Sequence, residues 1–177
     1  MIQTARLLLR RLDYRDAPEV FRLRSDAGTM RYIRKPETDP TESDRWIDLV
    51  SSRWEKEEIG FCAVIEKSSG QFAGWCGLWR LSETLEVEVG YALLPEFRGK
   101  GYASEAAEAF LAYGFIELGL DKIVAVANPE NAASRGVMTR LGMSYDGIGK
   151  FYGADLVHYT LTRETWSASR GEVQQLL

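Results

Sequence analysis

The chain is poor in the residues that build the commonest metal and disulfide centres. Two cysteines and one histidine occur in 177 residues, too few for a disulfide scaffold or a four-thiolate site, and His158 alone cannot complete a zinc set. No metal is implied. No apolar run approaches the roughly 18 residues of a membrane span, and the start Met1-Ile2-Gln3-Thr4-Ala5-Arg6 lacks a signal-peptide layout. A cytosolic protein with no membrane partner is therefore expected. Nor is there an excess of positive charge: 22 Lys and Arg stand against 26 Asp and Glu, a net charge of -4. The overall field thus argues against nucleic acid, and any grip on phosphate must be local. Internal repeats, linkers and low-complexity stretches are absent as well. With 45% hydrophobic residues the chain can bury one substantial core but not two. A single domain over residues 1–166 is expected, with residues 167–177 as a C-terminal tail that frays.

What is present reads as alternating strand and helix signals. The run from Ala5 to Leu12 suits a strand, and Asp13 offers an N-cap for a helix reaching Arg24. A second helix is predicted after Pro40, because Thr41 and Asp44 form a Ser/Thr-x-x-acid start and Ile47, Val50 and Trp54 recur at helical spacing. From Gly60 the texture changes to β-rich runs over 60–67, 71–81 and 85–94, an antiparallel meander. A helix over 104–118 and a strand over 122–127 complete a β-loop-helix-β unit whose strands should be parallel. A short helix over 132–141 ends at Gly142, a natural C-cap, and a hairpin about Gly153 joins strands 143–152 and 156–162. The fold class is α/β in the α+β sense: a mixed, mostly antiparallel sheet of six to seven strands flanked by helices. Cys62 falls opposite Cys76 in the first hairpin, as two reduced core residues. Trp75 and Trp79 share one sheet face, and such a row, if exposed, would suggest a homodimer.

The segment Arg98-Gly99-Lys100-Gly101-Tyr102-Ala103-Ser104-Glu105 lies between a strand and a helix. Its glycines let the backbone approach a ligand closely, and the helix start adds unpaired N–H groups and the positive end of a dipole. That arrangement suits a pyrophosphate, with Arg98 and Lys100 as mobile positive charge around it. A P-loop is excluded, since Lys100 is followed by Gly101 and not by Ser or Thr. A dinucleotide fingerprint fits poorly, because the acidic residue Asp121 precedes the next strand where one closing it is required. An anion cradle and a plain glycine-softened helix start are both compatible with these eight residues.

Arg98, Gly101 and Ala103 satisfy the pattern Arg/Gln-x-x-Gly-x-Gly/Ala, which resembles the acyl-CoA pyrophosphate loop of the GNAT N-acetyltransferase superfamily. Glu88-Val89-Gly90-Tyr91 before it, and Asn128-Pro129-Glu130-Asn131-Ala132-Ala133-Ser134 with Leu141-Gly142 after it, are similar to the branch containing the ribosomal-protein Ser/Ala N-terminal acetyltransferases. The resemblance runs from Thr4-Ala5-Arg6-Leu7 to Tyr159-Thr160-Leu161-Thr162. It implies a splayed parallel strand pair forming a wedge for coenzyme A, acetyl-CoA as co-substrate, and direct attack by a primary amine in a ternary complex. In that picture Arg98, Gly99, Lys100, Gly101, Tyr102 and Ala103 hold the pyrophosphate. Backbone amides near Ala92 and Leu93 pair with pantetheine and polarise the thioester carbonyl. Asn131 holds the pantetheine arm, although its position also suits an N-cap.

The resemblance also places a carboxylate base at Glu88, acting directly or through water, with Glu86 as a weaker candidate on the same strand face. Burial and a neighbouring carboxylate would raise the pKa of Glu88 and make it a better proton acceptor. Many members carry a Tyr four residues before the closing glycine as the acid that meets the thiolate; Met138 stands there. Ser134 is therefore the expected acid, with Tyr145 and Tyr152 as substitutes. The acceptor wall comes from residues 30–54 and 150–155, and leaves protein N-terminal α-amines, polyamines, amino acids and aminoglycoside-like amines open. The acidic balance favours a cationic partner, while Arg31, Arg34 and Lys35 argue the other way unless they only coat a helix. Two other functions are compatible with the residues: a catalytically degenerate CoA-binding sensor and a nucleotide-binding regulator.

Overall fold

The computed structural model describes residues 1–174, with side chains as far as residue 169. Strands β1 (Ile2–Gln3), β2 (Leu7–Arg11), β3 (Phe61–Glu66), β4 (Phe72–Arg80), β5 (Val87–Leu93), β6 (Lys122–Ala127), β7 (Ser144–Phe151) and β8 (Ala154–Thr162) form one sheet. Their spatial order is β1-β2-β3-β4-β5-β6-β8-β7. Every neighbouring pair is antiparallel except β5 and β6. The sheet has eight strands where six or seven were expected, because β1 is a two-residue edge strand, too short to carry a readable alternation.

Three helices precede the meander: α1 (Ala17–Ser25), α2 (Ala27–Met30) and α3 (Thr41–Glu57). The single helix expected from Asp13 to Arg24 is divided. Asp13 caps a separate 3-10 turn over Tyr14–Asp16, and Asp26 restarts the chain as α2 by accepting from the Thr29 N–H at 2.7 Å. Residues 31–40 are held by a buried ion pair, in which Arg24 Nε donates to Glu37 Oε1 at 2.7 Å and Ser43 Oγ donates to Glu37 Oε2 at 2.7 Å.

After β5 come α4 (Tyr102–Ala112), which widens into a π-turn over Tyr113–Glu117, then α5 (Ala132–Arg140) and α6 (Arg163–Gln174). Ala106, Ala107, Phe110 and Leu111 are fully buried; they form the stripe by which α4 packs on β4 and β5. The boundary expected at residue 166 falls inside α6, whose Trp166 packs against Phe115 with ring centroids 5.3 Å apart. Residues 175–177 of the expected tail lie outside the described residues.

Side chains paired across neighbouring strands share a face. One face carries Trp75, Gly77 and Trp79 of β4 with Ala92, Gly90 and Glu88 of β5; the other carries Cys76 and Leu78 with Tyr91 and Val89. On the first face Trp46 of α3 lies 5.8 Å from both Phe61 and Trp75, and Phe61 stacks on Trp79 at 5.2 Å. Arg24 and Arg53 cover Trp46 and Trp79 at 4.3 and 4.9 Å. The row is largely internal, with Trp75 buried and Trp46 and Trp79 half-buried. Cys62 pairs directly with Cys76; both are buried free thiols, and burial pushes the Cys62 pKa up to about 12.

Candidate active site

The parallel pair is the break in the sheet. β5 and β6 are joined only at Glu88↔Val124, whereas β4 and β5 pair continuously from Gly74↔Leu93 to Arg80↔Val87. Beyond Glu88, β5 therefore offers an unpaired edge, the feature a strand-like ligand can complete. Leu94 N donates to Ala73 O at 2.9 Å. Alternation along an antiparallel ladder then directs the even-numbered amides of β5 to β4 and those of Val89, Tyr91 and Leu93 to the open side. Of the two amides expected to line the wedge, that of Leu93 faces it and that of Ala92 faces β4.

At the end of this edge the chain turns into α4. Gly99 and Gly101 sit at φ 73° and 80°, a region other residues enter at a cost. None of the six N–H groups from Gly99 to Ser104 donates to a partner among the described residues; Glu105 N, bonded to Gly101 O at 3.1 Å, is the first that does. The result is a run of unsatisfied donors at a helix start, chemically matched to a diphosphate.

The two cations expected to be mobile here are tethered. Arg98 Nε donates to Leu93 O at 3.0 Å and its Nη2 to Thr29 Oγ1, while Lys100 Nζ lies 3.4 Å from Glu66 Oε1. Glu66 also accepts from Tyr102 at 2.6 Å and Ser69 at 2.7 Å; these bonds outweigh burial and hold its pKa at about 2. Arg6 completes the mount, donating to Lys100 O at 2.8 Å and to Glu105 Oε2 at 2.7 Å.

The two carboxylates of β5 have opposite electrostatics. Glu88 is 6% exposed. Burial is the main cause that raises its pKa to about 7; Glu83 adds to the rise, and a hydrogen bond from Tyr152 works against it. Glu86, two residues back on the same face, lies 2.5 Å from Lys122 and 3.5 Å from His158. Burial would raise its pKa, but the bonds from Lys122 and Thr84 bring the net shift downward. Glu88 is poised to exchange a proton near neutrality, and Glu86 is an ion-pair partner.

On the other face of β5, Tyr91 reaches α5. Its hydroxyl lies 3.2 Å from both the carbonyl and the Oγ of Ser134, and burial raises its pKa well above the ordinary value, so it stays protonated. Asn131 Oδ1 caps α5 by accepting from Ser134 N at 3.1 Å, the capping role that its position allowed. Met138 is 1% exposed and belongs to the core. Tyr145 is exposed, packed edge-on against Tyr159 at 5.5 Å, and Tyr152 bonds Glu88. Among the expected acids, Ser134 is the one that meets Tyr91 of β5.

A protein-family model described as an acetyltransferase (GNAT) domain matches residues 6–144. The chain belongs to the GNAT acetyltransferase family. The chain is 35% identical over 149 residues to an uncharacterized N-acetyltransferase, YnaD, of Bacillus subtilis, covering 84% of this chain and 85% of that one. The chain is 29% identical over 142 residues to the spermidine N(1)-acetyltransferase of Escherichia coli K12, covering 78% and 73%. A GNAT-family acetyltransferase structure from Bacillus anthracis superposes with a TM-score of 0.78 at 28% identity, covering 92% of this chain and 98% of that one. The protein is thus an acetyl-CoA-dependent acyltransferase by family.

Within this GNAT frame three contributors escaped sequence reading. Arg6 and Glu105 are 99 residues apart, Glu66 and Tyr102 are 36 apart, and Tyr91 and Ser134 are 43 apart. Tyr91 stood within a quoted motif, but nothing local to it indicates that its hydroxyl meets α5.

Proposed function

We propose that this GNAT enzyme transfers an acetyl group from acetyl-CoA to a primary alkylamine, with Glu88 as the proton acceptor and Ser134, steadied by Tyr91, facing the departing sulfur. The observation that carries this reading is a buried carboxylate at the point where the parallel strands still meet, where burial raises its pKa to about 7. Glu88 and Tyr91 lie on opposite faces of β5. Proton removal from the amine and proton delivery toward the sulfur are thereby assigned to separate sides of the strand.

The donor amides of Gly99 to Ser104 and the edge of Leu93 fit the diphosphate and pantetheine parts of the co-substrate. When bound, acetyl-CoA supplies an activated acyl carbon and a thiol leaving group of pKa about 8.5. The residues of the chain then have one demanding task, to take a proton from the acceptor. An alkylamine of pKa about 10.4 is neutral in roughly one molecule in 2,500 at pH 7, an α-amine in about one in ten, a difference of about 3.5 kcal/mol. A carboxylate near 7 is of most use to the former.

The surroundings of Glu88 favour a cationic acceptor as well. Glu83 is the charge that bears on it most. Arg34, which seemed to argue against cations, is engaged by Glu37 and Glu42 at 3.6 and 3.8 Å, and Arg31 lies over Tyr32 at 5.0 Å. The relative that acetylates spermidine supports the same class. The test is thiol release from acetyl-CoA with spermidine, simple diamines and peptides with free N-termini. Faster release with the polyamine, lost in Glu88→Gln, is expected. CoA-induced thermal stabilisation with no thiol release on any acceptor would instead mark a sensor.

A further inference from the structure

The β7–β8 connection has a residue that its own conformation does not favour. Tyr152 and Gly153 form a two-residue loop with φ of 52° and 76°, the pattern of a type I′ turn, whose first central position ordinarily takes Asn, Asp or Gly. A tyrosine there crowds its own Cβ against the backbone. Strain held at one residue calls for a compensating role elsewhere.

The side chain supplies it. The Tyr152 hydroxyl donates to Glu88 Oε1, 64 residues away, while its backbone N–H donates to Glu83 Oε1 at 2.6 Å. Glu83 thus anchors the turn to the β4–β5 connection. Among the described residues Tyr152 is the one group that donates a hydrogen bond to Glu88. The neighbouring cations are committed elsewhere: Lys122 to Glu86, Arg53 to Trp79 and Glu57, and Arg80 to Glu57; the His158 ring lies 3.5 Å from Glu86 and 3.4 Å from Asp146. The remaining charge that bears on Glu88 is Glu83.

We propose that Tyr152 is a positioning residue of the acetyl transfer: delivered by a strained turn that Glu83 anchors, its hydroxyl orients the Glu88 carboxylate and stabilises its charged form. The proposal rests on Glu88 being the base. The bond from Tyr152 lowers the pKa of Glu88, while burial and Glu83 raise it. Without the hydroxyl the ionised fraction of Glu88 at neutral pH falls, and with it the share of molecules able to accept a proton from the amine. Removal of the Glu83 charge acts in the opposite direction, because a carboxamide oxygen still accepts the Tyr152 N–H without repelling Glu88.

The test needs no knowledge of the acceptor. In full-length protein carrying 13C-labelled glutamate, the Glu88 carboxyl resonance is assigned by its loss in Glu88→Gln and titrated in the wild type, Tyr152→Phe, Tyr152→Asn and Glu83→Gln. Both Tyr152 variants should raise its pKa by roughly one unit or more, and Glu83→Gln should lower it by a few tenths, on the order expected for a screened charge. Tyr152→Asn should keep or improve thermal stability, since Asn-Gly suits the turn. The acid limb of kcat/KM with spermidine should move in the same directions. An unmoved carboxyl titration in both Tyr152 variants overturns the proposal. If the carboxyl shifts while the rate limb stays in place, Glu88 is not the base, and that earlier reading is what fails.

Discussion

Replacing Glu88 by Gln should make the protein less active and, at alkaline pH, relatively more stable. A carboxyl whose pKa is raised on folding binds its proton more tightly in the native than in the unfolded state. Its contribution to stability is present in full below the unfolded pKa and is lost as pH rises through the folded one. For Glu88 that window runs from the ordinary 4.5 to about 7. At about 1.4 kcal/mol per pH unit, the interval corresponds to about 3–4 kcal/mol, most of which falls between pH 5 and 8.5. The glutamine side chain does not titrate, so this pH-dependent loss disappears, while any cost of a newly buried amide is the same at every pH. The measurement is urea unfolding of both proteins at half-unit steps over that range. The wild type should lose about 2–3 kcal/mol more than the variant on going from pH 5 to 8.5. Stability curves that run parallel for the two proteins would refute the buried, proton-exchanging carboxylate.

Four further substitutions probe other parts of the protein. Gly101→Val places a β-branched residue at φ 80° with its Cβ 3.4 Å from Arg6 Nη2, filling space where a diphosphate would meet backbone; CoA affinity by calorimetry should fall at least about tenfold, and unchanged affinity would remove the loop assignment. Ser134→Ala should lower kcat more than it raises KM, and Tyr91→Phe should do the same to a smaller extent; a pure loss of affinity would make Ser134 a tether only. Arg24→Ala strands the buried Glu37 carboxylate and should destabilise the fold by about 3–5 kcal/mol, read by urea unfolding, with an effect below about 1 kcal/mol counting against the buried pair.

Much of this protein was legible before folding was considered. Gly99 and Gly101, the start of α4, the parallel β5–β6 unit and the Asn131 cap depend on chain conformation and spacing within a few residues, which sequence carries directly. The two-residue β1 and the split of α1 from α2 were not legible, since neither element is long enough to show a period of its own. Tertiary structure alone decided which carboxylate of β5 would exchange protons. Glu86 and Glu88 share a strand and a face, yet Lys122 holds one ionised while a dry environment lifts the other toward neutrality. A pKa is set by all the charges and dipoles within a few ångströms, and here they come from β6, β8, the β4–β5 connection and a turn 64 residues downstream. Sequence determined where the glycine-bearing run of free amides lies; only the packed fold determined which carboxylate is desolvated, because desolvation is a property of the whole assembly and not of any segment.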